Sequence, residues 1–206
     1  ISNFSTDQFV ALGSAQVAAL RTDQIARITG ANIGAMTTSQ LAVWDADQIA
    51  ALTGSQLTHL TTTQIANLHT DQVAAIETAD IVWLNATQLN TLSTEQVVAL
   101  GTAQVAALSG KQINTLGVDQ FAAFDADKIT ALTSKQVQYL NVDQLASLTS
   151  TQTLAIETQD IAVLNATQIA AIQPDQIGLL SSGQITAMKK TQFAGLLTPQ
   201  IQALTT

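Results

Sequence analysis

The chain is 206 residues long, 47% hydrophobic, 11% charged and 4% aromatic, with no cysteine and a formal net charge of −8. Seven Lys plus Arg against fifteen Asp plus Glu leave no basic patch to replace the counterions of a nucleic acid. Absent cysteine excludes disulfides and thiolate-bound metal, and no apolar run approaches the roughly 20 residues that span a bilayer.

The first element is an eight-residue phrase that fills the chain. Take every eighth position from residue 8 to residue 200 as slot 0. Of these 25 positions, 21 are Gln; the exceptions are Asn32, Asp80, Lys128 and Asp160. Slot 1 runs from Phe9 to Ile201 and is apolar except at Thr153; slot 4 runs from Leu12 to Leu204 and is apolar throughout. Slots 2 and 3 are mostly Ala, and slots 5 to 7 mostly Thr, Ser, Asp, Asn and Gly. One continuous helix cannot use this pattern, because eight residues at about 100° each shift the apolar stripe by about 80° per repeat. A strand sends slots 1 and 4 to opposite faces, and paired alanines suit a helix interior better than a strand.

One short helix per octad satisfies every slot. In Thr61-Thr62-Thr63-Gln64-Ile65-Ala66-Asn67-Leu68, Thr61 is the N-cap and Gln64 at N3 reaches back to the cap amide, a capping box. Leu60 and Ile65 then form a hydrophobic staple. Asp23, Asp71 and Asp143 fall in first turns, where the helix dipole favours an anion, and Pro174 and Pro199 fall where no amide partner is lost. The predicted fold is all-α: one solenoid over 1–206, built from one- to two-turn helices, with slots 1 and 4 as its core and Gln outside or at the corners. Helices this short are unstable alone and need stacking.

Along the chain, Trp44-Asp45-Ala46-Asp47 returns as Leu84-Asn85-Ala86-Thr87, Phe124-Asp125-Ala126-Asp127 and Leu164-Asn165-Ala166-Thr167, each copy five octads after the last. Glu77-Thr78-Ala79-Asp80 returns ten octads later as Glu157-Thr158-Gln159-Asp160. The five-octad step reads either as duplication in blocks of five or ten octads, or as five helices per superhelical turn; the second predicts that residues five octads apart stack.

Candidate chemistry is sparse. His59 and His69 are the only histidines, with no fixed Cys or carboxylate constellation around them, and are assigned a surface or half-buried structural role. Asp45/Asp47 and Asp125/Asp127 fall short of the 6 to 8 oxygens of a calcium site and read as helix-start residues. Trp44, Trp83 and Tyr139 read as packing or inter-coil contacts. Asp80, Lys128 and Asp160 break the Gln slot, and Lys189-Lys190 is the only doubled cation; both features suggest lateral contacts. No catalytic, cofactor-binding or metal-ligating residue is assigned, and no cofactor.

The phrase "LSTEQVVALGT", from Leu92, resembles the start of a TAL-effector DNA-binding repeat for about ten residues and then departs from it. The basic surface and base-reading loop are missing, so the DNA function does not carry over. Leu52 to Leu60 and Leu132 to Leu140 are similar to the LTxxQ(I/V)xAL octapeptides of very large bacterial surface or secreted proteins. That resemblance implies an extracellular or cell-surface location and a non-enzymatic spacer, stalk or filament subunit. Its partners would be other copies of itself or further repeats, with no nucleic acid and no membrane span. The alternative is an adhesive or ligand-binding solenoid using a Thr/Gln/Asn face; ice binding and acidic DNA mimicry are weaker. The chain opens on Ile1 and ends in mid-phrase at Leu204-Thr205-Thr206, as expected of a processed or excised segment with apolar edges that polymerisation could cover.

Overall fold

The structure is a computed structural model and describes residue 1 and residues 3–204. Thr205 and Thr206, noted above for their register, lie outside the described residues. Among the described residues there are 25 α-helices, one per octad, and no strand. Each helix is four to six residues long, from Thr22–Ile25 to Thr94–Ala99.

Local chemistry sets each start. The residue in slot 5 is extended, as at Thr61 (φ −72°, ψ 159°), and the helix begins after it. The Thr61 hydroxyl accepts from the Gln64 amide at 3.2 Å while Gln64 Oε1 accepts from the Thr61 amide at 2.7 Å. Where the cap side chain makes no such bond, the second half persists: Gln16 Oε1 takes the Gly13 amide, Gln72 the His69 amide and Gln200 the Leu197 amide. Each stop is equally local. Leu100 turns to φ −59°, ψ 132°, ending the helix and leading into the next extended cap. No described residue has a positive φ, so the glycines of slots 5 to 7 do not serve a left-handed bend.

The chain divides into two compact units, Ile1–Ala107 and Leu108–Thr206. Each is a helical solenoid around its own apolar core. Slot 1 is nearly sealed from solvent, with Val17, Ile65, Val97, Ile113 and Leu145 at 0% exposure. Slot 4 is buried too, for example Leu52, Leu100 and Leu164. Thr153, the polar exception in slot 1, is also buried; its hydroxyl lies 3.0 Å from the Thr149 carbonyl and 3.2 Å from Gln176 Oε1, which resolves the polarity.

Helices three octads apart pack together. In the first unit Ala46–Ala50 packs on Thr70–Ala75, which packs on Thr94–Ala99; in the second, Val142–Ala146 packs on Ala166–Ala171, which packs on Lys190–Gly195. Side chains also bond backbone about four octads back, as Gln64 does to Ile33 and Met36. A superhelical turn therefore closes between three and four octads. The reading of the five-octad step as one superhelical turn is thus corrected, because neither packing nor hydrogen bonding follows it.

Candidate functional site

The buried polar side chains are concentrated in the Gln slot, and the expectation that Gln lies outside or at corners is overturned. Gln64 is 2% exposed and Gln144 0%. Short helices leave terminal carbonyls without partners. Gln64 Nε2 donates to two carbonyls at such an end, Ile33 O and Met36 O, both at 2.8 Å. Gln144 does the same for Ile113 O and Leu116 O at 2.9 Å, and Gln192 for Ile161 O and Leu164 O. One side chain thus starts its own helix through Oε1 and closes the end of a helix one coil below through Nε2. The sequence shows the first bond, since its partner lies in the same octad. The second partner lies a whole coil away and could not be read locally.

The four exceptions adjust to this rule. Asn32 is shorter and makes one inter-coil bond, Nδ2 to Phe4 O at 3.1 Å. Lys128, 6% exposed, turns Nζ to the carboxylate of its cap, Asp125 Oδ2, at 2.9 Å. That cation, with the Lys128 amide, holds the Asp125 carboxyl below its usual range. Asp80 and Asp160 accept where Gln would donate: Asp80 from the Gly54 amide, Asp160 from the Ser134 hydroxyl. Burial pushes the Asp160 carboxyl up, with Glu157 adding to the shift and Ser134 opposing it.

The structure places the other candidate residues apart from one another. Trp44 is buried, with Nε1 donating to Val17 O at 3.2 Å. Trp83 and Tyr139 are about half exposed, and each ring lies on the backbone of a glycine one coil earlier, Gly54 and Gly110; the His59 ring lies on Gly30 in the same way. A methyl group on Gly54 would overlap the indole. These three pairs are inter-coil contacts. Their common spacing, Gly30 to His59, Gly54 to Trp83 and Gly110 to Tyr139, was a sequence signal for the coil length. His69 is an exposed N-cap. Asp45 and Asp125 each accept through Oδ1 from a helix amide; Asp47 and Asp127 lie in first turns. Lys189 is an N-cap and Lys190 the first residue of its helix, both exposed. Among the described residues, no three His, Cys, Asp or Glu group where a metal could sit, and no helix is long and apolar enough to cross a membrane.

Each unit carries an open cleft beside an Asp break. In the first unit it measures about 500 Å³, lined by Ala74, Ile76, Glu77 and Thr78; in the second it measures about 890 Å³, lined by Leu154, Ile156, Glu157 and Thr158. The linings correspond at the ten-octad step.

A helix of four to six residues per octad, two buried apolar slots and a buried amide bonding the coil below define a class: an all-α octapeptide-repeat protein of solenoid form. The ALTTAQ repeat model matches residues 1–30, 25–62, 73–110 and 153–190, more than half of the chain, which therefore belongs to the ALTTAQ repeat family. No curated protein matches it.

Proposed function

We propose that the chain is a non-enzymatic structural module, a stiff spacer, stalk or filament-forming segment of a bacterial cell-surface or secreted assembly, with 1–206 acting as one array. The observation that carries this reading is the Gln ladder. Its bonds join coil to coil inside the core, where water does not compete, so bending requires breaking buried hydrogen bonds. The unbroken octapeptide register across residues 107 and 108 supports treating both units as one array. Further octads, of the same chain or of another copy, are the partners this reading proposes.

An adhesive role for a Thr/Gln/Asn face is less well supported. Most Gln side chains are spent inside the core, and many Thr, Ser and Asn side chains of slot 5 serve as caps. Electron microscopy of the purified chain at several concentrations tests the proposal. Straight, uniform rods that lengthen end to end with concentration are expected. Compact or freely bending particles at every concentration would reject it.

A further inference from the structure

Asp160 holds a position that belongs to a donor, although an ionised carboxylate cannot donate. It sits at N3 of its octad, as Gln does, and is 1% exposed. In the register that takes Gln64 to Ile33 O and Met36 O, a Gln here would reach Ile129 O and Leu132 O. The side chain instead accepts from the Ser134 hydroxyl and forms the polar wall of an interior void of about 10 Å³, lined otherwise by apolar residues that include Ile129, Leu132 and Leu164. A void of that size holds at most about one water, which needs two or more polar partners to stay. Ionised Asp160 therefore leaves the end of Ala126–Ala131 without the amide that closes other helices, such as Thr62–Ala66 by Gln96.

A neutral carboxylic acid has the shape of an Asn side chain and carries one donor. Asn32 shows the reach: from the same N3 position its Nδ2 contacts Phe4 O, in the coil before it, at 3.1 Å. We propose that Asp160 is an acid-closed latch: when protonated, it keeps the Ser134 bond on one oxygen and donates through the other to Leu132 O, adding a bond between two coils that is lost when it ionises.

The charged surroundings favour the neutral form. Glu157, the cap of its own helix, adds negative charge. Of the elements around it, Ser182–Ala187 brings no titratable group and Ser134–Val137 brings Lys135, which is exposed. Ala126–Ala131 brings Asp127 and Lys128, the latter paired with Asp125. With the folded pKa raised by burial, the folded state binds the proton more tightly than the unfolded state. The latch therefore stabilises fully below the unfolded Asp range, near 3.9, and its contribution is lost as pH rises through the folded value. Asp80, in the same slot of the first unit, is only half-buried and accepts from a backbone amide instead of a hydroxyl, so it serves as the internal control. The latch acts within the fold whether or not the chain serves as a stalk.

The test is thermal melting of the full chain and its Asp160→Asn and Asp80→Asn variants from about pH 3.5 to 7.5, a range that brackets the carboxylate titration. D160N carries a permanent donor. It should melt about 2 to 4 °C above the parent at the neutral end, the shift of one net hydrogen bond in a chain this size, with the gap closing towards the acid end. D80N should show no closing gap. Carbonyl NMR of the unmutated chain separates the latch from simple burial, and serves equally if D160N fails to fold. The Leu132 carbonyl shift should move with the same midpoint as the Asp160 carboxyl. A pH-independent gap, or a Leu132 carbonyl that does not follow Asp160, would overturn the proposal.

Discussion

Replacing Gln64 by Ala isolates the bond on which the structural reading depends. Gln64 is 2% exposed and makes three side-chain bonds: Oε1 from the Thr61 amide at 2.7 Å, and Nε2 to Ile33 O and Met36 O at 2.8 Å. Each net bond is worth about 1 kcal/mol, and orphaning a buried group costs about 1 to 3 kcal/mol. Ile33 O keeps the Met36 amide at 3.3 Å, so its loss falls at the low end. The sum is about 3 to 5 kcal/mol, large against the total stability of a domain. Gln8→Ala is the matched control, because Gln8 is exposed and bonds the Ser5 amide at 3.0 Å in its own octad; it should cost under about 1 kcal/mol. Urea unfolding followed by helical circular dichroism, with the slope checked for loss of cooperativity, gives both values. Equal costs for Gln64→Ala and Gln8→Ala would refute the inter-coil role of the amide.

Other consequences are open to direct measurement. Leu100→Asp places a charge at a site 1% exposed and should lower stability by several kcal/mol, at least about 3; an unchanged melt would remove slot 4 from the core. Gly34→Ala and Gly183→Ala should differ in sign. The new methyl at 34 meets the His59 carbonyl at 2.9 Å, whereas at 183 nothing lies within 3.8 Å, so the second should gain about 0.5 to 1 kcal/mol in thermal or urea unfolding. Gly54→Ala should dislodge the Trp83 ring from the backbone, seen as a red shift of its fluorescence with little change in that of buried Trp44. Lys128→Met should return the Asp125 carboxyl towards its ordinary value near 3.9, read by NMR titration. In the parent the depressed folded value means that the pair stabilises at neutral pH and that this contribution fades as pH falls through it. The effect is small, because the Asp125 side chain is 57% exposed and solvent screens the pair.

The sequence by itself determined whatever acts within one octad. Thr61 caps the helix that holds Gln64, Leu60 and Ile65 flank the cap, and slots 1 and 4 share one helix face, so period, helix boundaries and core follow from bonds and burial inside a single repeat. Tertiary structure decided the rest. The turn per octad comes from the angle between successive short helices, which no single residue encodes, and it sums to a coil between three and four octads rather than the five suggested by duplicated blocks. The second half of each Gln, the exchange of donor for acceptor at Asp80 and Asp160, and the seating of Trp83 on Gly54 all follow from which residues that coil brings together. A buried amide must find partners, and only closure of the coil shows that they lie in the layer behind it.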